Sequence, residues 1–215
     1  MTKLFQLDGT NLSIDDVAFI SRAKPGDVKL VIDPKAIEKM KKSRQVVLDI
    51  VKKGKPVYGI NTGFGALASK QIAQEDLAQL QYNLIRSHCT GVGKPFSREI
   101  TRAIMLVRAN CLIQGFSGVT PETIELLLDF INHNINPVVP EKGSVGASGD
   151  LAPLSHIALA LIGEGEVEFQ GKIIKSDFAL HQIGKTPAIL GPKDGLALIN
   201  GTSVMLALGC RLFSV

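Results

Sequence analysis

Four short stretches of this chain hold the residue types that could do chemistry: Tyr58 to Gly65, Asn83 to Gly93, Gly143 to Asp150, and Leu196 to Thr202. Between them they offer a phenol (Tyr58), an imidazole (His88), a serine flanked by Ala147 and Gly149 in a glycine-rich stretch (Ser148), and a carboxamide (Asn200). A phenol has an ordinary pKa of ~10, so it serves as a base only where its surroundings lower that value. An imidazole can hydrogen-bond a ligand through either ring nitrogen. A carboxamide N–H can steady charge building on an oxygen. Each residue also has a plain structural reading. Ser148 or Asp150 could cap the helix that follows, Tyr58 could pack at the end of a short strand, and Asn200 could cap the helix beginning near Thr202. His88 could be a satisfied histidine at a helix end, the reading that best suits His133, His156 and His181.

Two common motifs fail, one on its spacing and one on its surroundings. A serine-hydrolase elbow needs glycine two residues before and two after the serine, and Gly146 satisfies the first while Asp150 occupies the second. Gly63-Phe64-Gly65-Ala66-Leu67-Ala68 has a dinucleotide-type spacing. No strand–helix–strand unit is expected around it, and no acidic residue follows about 20 positions on.

Taken together, in this order and with the third stretch extended to Pro153, the four blocks resemble the signature blocks of the aromatic amino acid ammonia-lyase family. The resemblance runs over essentially all 215 residues. It implies that the chain builds its own electrophile. The backbone nitrogen of Gly149 would attack the carbonyl carbon of Ala147, and loss of two waters would give 4-methylidene-imidazole-5-one (MIO), with Ser148 losing its hydroxyl to leave an exocyclic methylene. An amide nitrogen is a poor nucleophile because resonance ties up its lone pair, so the loop has to be compressed. Gly149 has no Cβ to obstruct the approach, Ala147 is small, and Gly143 and Gly146 let the loop fold on itself.

The same resemblance assigns Tyr58 as the base that takes the substrate's β-proton and Asn200 as a donor to the MIO carbonyl oxygen. It assigns His88 to substrate binding. The Ser87-His88 pair is similar to the histidine-specific branch. Relatives acting on phenylalanine carry an apolar pair here, and those acting on tyrosine place a histidine one position earlier. The implied activity is elimination of ammonia from L-histidine to give trans-urocanate, the first step of histidine degradation. MIO would do the work that pyridoxal phosphate (PLP) does elsewhere, so neither PLP nor a metal is expected. A sibling lyase or aminomutase acting on phenylalanine or tyrosine is the alternative substrate reading. Family members are also more than twice this length, form homotetramers, and gather each active site from three subunits. The later Gln, Tyr, Arg and Glu of the family site would lie beyond Val215, so a folded but inert fragment is a further reading.

These residues need elements to position them. Lys3–Leu7 alternates like a strand, and Ser13 with Asp16 forms a capping box for a helix reaching Arg22. A strand is expected over Val28–Ile32. A helix opened by Asp33-Pro34 should run to Lys53 and stop at Gly54. Val57–Ile60 reads as a short apolar piece ahead of the glycine-rich loop. Helices are expected over Ile72–His88, from Ser97 to near Gly115, from Thr120-Pro121 to near Asn134, and over Leu151–Ile162. Asn136 to Asp150 reads as one loop, and Val167–Ile174 as a hairpin with Gln170-Gly171 at its tip. Thr202 onward reads as a buried helix, and the chain ends in that apolar stretch, which leads us to expect a truncated piece. The expected fold is mainly α with a small α+β N-terminal domain. Residues 1–96 carry the Tyr58 loop, and residues 97–215 begin a helical-bundle domain holding the Ala-Ser-Gly loop.

Bulk composition agrees with a globular protein: 45% hydrophobic, 20% charged, and 5% aromatic with no Trp. The net charge of +4 comes mostly from the lysines between Lys35 and Lys55, best read as the solvated face of a helix. No aromatics interleave with them, so no nucleic-acid surface is expected. Cys89, Cys111 and Cys210 are scattered without metal-ligand spacing. With no signal-peptide pattern and no bilayer-length apolar run, a reduced, cytoplasmic chain is expected, with no membrane partner.

Overall fold

A computed structural model describes residues 2–146 and 149–212. Ala147 and Ser148 lie outside the described residues. The fold is mainly helical with small sheets. β1 (Lys3–Leu7) pairs in parallel with β2 (Val28–Ile32), Lys3 opposite Val28 through Leu7 opposite Ile32, with α1 (Ile14–Arg22) as the crossover. The capping box forms as the sequence predicts: the Asp16 amide donates to Ser13 Oγ at 3.1 Å, and the Ser13 amide to Asp16 Oδ2 at 3.1 Å. α2 (Pro34–Lys53) is opened by Asp33 and closed by Gly54 in the left-handed region at φ 68°. It buries Ala36, Met40 and Val47 and turns its lysines to solvent.

α3 (Leu77–His88) starts later than predicted. The amide of Ile72 donates instead to Asn61 O (3.0 Å), closing the glycine-rich loop that follows the Tyr58 turn, and a 3₁₀ turn at Gln74–Asp76 leads into the helix. Val57–Ile60 is a turn. α4 (Arg98–Ile113) is the central helix. Every residue from Thr101 to Ala109 is buried, and α1, α5 (Pro121–Asn132) and a later helix pack around it. The predicted loop from Asn136 to Asp150 contains two short strands. β4 (Asn136–Pro137) joins the edge of the hairpin, and β5 (Pro140–Lys142) pairs antiparallel with β3 (Val92–Pro95). Strands of two or three residues carry no periodicity, and Pro137 and Pro140 read as loop signals.

α6 (Leu151–Leu161) precedes the hairpin of β6 (Glu166–Phe169) and β7 (Lys172–Lys175). Both residues of its tip are left-handed, Gln170 at φ 51° and Gly171 at φ 75°, as a two-residue primed turn requires. α7 (Ser176–Gln182) and α8 (Asp194–Ile199) have seven and six residues, too short to announce themselves by period. α9 (Ser203–Leu212) is amphipathic rather than buried all round. Val204 and Ala207 are covered, but Met205 and Leu206 are 54% and 56% exposed. Buried apolar residues from Leu7 to Cys210 form one cluster. No helix among the described residues is long and apolar enough to cross a membrane.

Candidate functional site

The Gly143–Asp150 stretch is docked on the corner between α8 and α9. Its glycines take conformations that favour glycine: φ 147° at Gly143, 64° at Gly146 and 109° at Gly149. The Gly149 amide donates to Gly146 O at 2.9 Å. A Cβ on Gly149 would stand 3.5 Å from Gly201 O and 3.7 Å from Asn200 Oδ1, so Gly149 and the Asn200 carboxamide are neighbours.

Asp150 anchors the far side of this turn. It is fully buried, and its amide donates to Gly201 O at 2.7 Å. Its carboxylate accepts the amides of Val204 (2.7 Å) and Met205 (3.1 Å), which α9 leaves unpaired in its first turn. The Ser144 hydroxyl donates to the other carboxylate oxygen and accepts the Gly146 amide at 3.1 Å. The sequence suggests Asp150 or Ser148 as caps for α6. No side chain at the Asp150 position caps α6, and the carboxylate caps α9 instead. Asn200 is the predicted cap for that helix. It ends α8 instead, in extended conformation, and its carboxamide is exposed and available.

α8 is held at both ends by other elements. Asp194 is fully buried and paired with Arg44 of α2 at 3.3 Å. It also accepts the amides of Gly191 (2.8 Å) and Thr120 (3.0 Å). Burial raises the Asp194 carboxyl above its ordinary range, and Arg44 offsets part of that. Gln81 of α3 accepts the Leu196 amide at 3.0 Å. At the other end Arg108 of α4 donates to Leu198 O (2.9 Å), Asn200 O (2.9 Å) and Ala197 O.

Tyr58 sits on a turn set by Asn61, whose carboxamide accepts the Val57 amide (2.7 Å) and donates to Lys55 O (2.9 Å). Gly59, at φ 76°, leaves no room for a Cβ beside Leu196 Cδ2 (2.6 Å), so this turn rests on α8. The Tyr58 ring is 60% exposed and meets Phe64 edge-on at 6.3 Å. His88 ends α3, with Nδ1 2.8 Å from Leu84 O and 3.1 Å from Ser87 Oγ. A carbonyl can only accept, so Nδ1 carries a hydrogen, and in the neutral imidazole the lone pair is on Nε2. Beyond it, Gly91 lies against the start of the glycine-rich turn: a Cβ on Gly143 would come within 3.2 Å of Gly91 Cα. The Gly91 amide donates to His156 Nε2 at 3.3 Å. His156 lies mid-helix rather than at a helix end, and burial lowers its pKa below 6.5.

The structure thus brings Asn200 beside Gly149. It seats the Tyr58 turn on α8, and the chain after His88 on the first glycine of the turn. A cleft of about 460 Å³ reaches Asn200 from the side of α1, α4 and α9, and neither Tyr58 nor His88 lines it. Sequence reasoning missed Arg108, Gln81, the Arg44–Asp194 pair and the true partner of Asp150. A charged residue in the middle of the apolar run Ile104–Ile113 was the available signal for Arg108. Among the described residues no group of three or more His, Cys, Asp or Glu is placed to hold a metal ion.

A family model for aromatic amino acid lyases matches residues 12–214. Histidine ammonia-lyase of Caldanaerobacter subterraneus subsp. tengcongensis is 50% identical over 204 residues, which are 95% of this chain and 40% of that protein. Among solved structures, the ergothioneine-degrading ergothionase of Treponema denticola superposes with a TM-score of 0.93 at 37% identity, over 98% of this chain and 41% of that one. Histidine ammonia-lyase of Trypanosoma cruzi gives 0.88 at 37% identity, over 98% and 40%. The chain therefore spans about 40% of the length of the relatives it matches.

Proposed function

The chain belongs to the aromatic amino acid lyase family, and on that premise we propose that the whole protein eliminates ammonia from L-histidine to give trans-urocanate, using MIO formed from Ala147, Ser148 and Gly149. The observation that carries this reading is that a left-handed Gly149 lies beside the Asn200 carboxamide at a corner fixed from both sides. The residues present fit such a group. Gly149 takes a φ of 109°, where a Cβ would be strained, and the exposed carboxamide beside it can donate to an oxygen at that position. MIO supplies an electrophilic methylene that turns the substrate's α-amino group into a better leaving group.

The chain's own side chains divide the remaining work. Tyr58 accepts the β-proton, from a turn that rests on Leu196 of α8. His88 selects the substrate. Its Nε2 lone pair accepts the N–H of an imidazole, a donor that a phenyl ring does not have. The 60% exposure of Tyr58 suits a site completed by neighbouring subunits of a cytoplasmic homotetramer. On its own the 215-residue chain is expected to show little or no turnover.

Intact mass is the first test, because cyclisation removes two waters, about 36 Da. A lighter species in the wild-type chain, absent from Ser148→Ala, supports the reading, and an unmodified mass in both removes MIO from it. Urocanate absorbance then tests turnover by the whole protein. There His88→Phe should cut activity on histidine by about 100-fold or more. Turnover of phenylalanine or tyrosine but not histidine would reassign the substrate.

A further inference from the structure

Arg108 is 4% exposed, and among the described residues no carboxylate accepts a hydrogen bond from it. Its guanidinium is spent on the carbonyls of Ala197, Leu198 and Asn200, the groups that the end of α8 leaves without helical partners. Asn200 departs from the helix in extended conformation, so no left-handed residue closes this end in the usual way. A cation delivered from α4 closes it instead, where the helix dipole favours positive charge. Burial pushes the guanidinium's pKa down, and the nearby Asp150 carboxylate offsets part of that. The backbone of Gly201 lies so close to the guanidinium that a Cβ has no room there.

A helix of six residues does not hold its shape alone. The direction in which Asn200 leaves α8 is therefore set by whatever grips its last turn. We propose that Arg108 is a positioning residue for Asn200: by holding the last carbonyls of α8 it fixes the corner on which the Gly149 turn is docked, and so the alignment of the Asn200 carboxamide with that turn. The assignment rests on the functional reading above only for the purpose that the alignment serves. The contacts from Arg108 to α8, and from Gly201 O to the Asp150 amide, hold the corner whatever chemistry it serves.

The test compares Arg108→Lys, Arg108→Met and Gly201→Ala with Arg102→Lys, all in the full 215-residue chain. The lysine keeps the charge but not the planar fork. Gly201→Ala leaves residue 108 an arginine but pushes its guanidinium aside. Two readouts are used: hydrogen exchange in the segments 194–206 and 140–152, and the fraction of chain lighter by two waters. Arg108→Lys and Gly201→Ala should speed exchange in both segments by about tenfold and lower the cyclised fraction several-fold, while Arg102→Lys changes neither. Loosening confined to 194–206, or wild-type behaviour of both Arg108→Lys and Gly201→Ala, would overturn the proposal. If Arg108→Met does not fold, the other two variants decide. If even the wild-type chain keeps its full mass, the MIO reading fails, and the exchange in 140–152 still decides the role of Arg108.

Discussion

α4 carries two buried arginines six residues apart, and they do the same physical job for two different regions. Arg102, 2% exposed, donates to Ile20 O (3.1 Å) and Ser21 O (3.2 Å) at the end of α1, and to Ile131 O (2.8 Å) at the end of α5. Arg108 does this for α8. Burial lowers both guanidiniums, Arg102 to about 10, because each sits among carbonyls rather than beside a paired carboxylate. The two differ in where the chain goes beyond the capped turn. After α1 and α5 it passes into ordinary connections, through Ala23 and through Asn134 at φ 57°. After α8 it passes into Asn200 and Gly201, which touch the Gly149 turn. One device thus serves stability in the core and alignment at the site.

The largest expected effect is on the core side. Arg102→Met leaves Ser21 O without its donor and takes one donor each from Ile20 O and Ile131 O, which keep the amides of Ala23 and Asn134, and should cost about 3 kcal/mol, read as a lower urea midpoint. Arg108→Met should cost less overall, about 1–2 kcal/mol, because α8 is short and can fray without unfolding α4. Equal losses, or a Gly149 turn that loosens as much in the Arg102 variant as in the Arg108 variant, would break the contrast between the two regions.

The contrast also marks what the sequence made legible. α1 and α2 were readable to the residue because their signals are local: Ser13 with Asp16, Asp33 with Pro34, and Gly54. The blocks that hold Tyr58, His88, Gly149 and Asn200 were readable as a resemblance. The partners that set those blocks in place were not. Arg108 acts 89 to 92 positions away, Gln81 acts 115 away, and Asp150 caps a helix 54 residues on. No local pattern encodes such a pairing. β4, β5 and α8 escaped because they are shorter than the period that would reveal them.

A smaller effect on the site side separates the regions by pH. His156 accepts the Gly91 amide through Nε2, so the folded chain holds it neutral, and burial places its pKa below 6.5. The unfolded chain then binds the extra proton first as pH falls. Stability from this group is fully present above about pH 6.5 and is lost as pH drops through the lowered value. Thermal melts taken from about pH 7.5 down to about pH 5 should fall less steeply for His156→Gln than for wild type. Equal slopes would mean that the Gly91–His156 contact does not hold this wall of the site.

The smallest effect is a labelling rate. Cys89 follows His88 directly, and burial together with the charge of Glu164 pushes its thiol up to about 12, while Cys111 of α4 is exposed. The thiolate is the reactive form, so Cys89 should alkylate at least about tenfold more slowly than Cys111 at about pH 8. Peptide mapping after a short iodoacetamide pulse reads the ratio. Because Cys89 lies between His88 and Gly91, its protection depends on that segment being seated against Gly143 and α6. Labelling of Cys89 as fast as Cys111 would mean that the segment swings free. The Leu84 carbonyl would then no longer fix the hydrogen on Nδ1 of His88, and the imidazole would lose the orientation on which its choice of substrate depends.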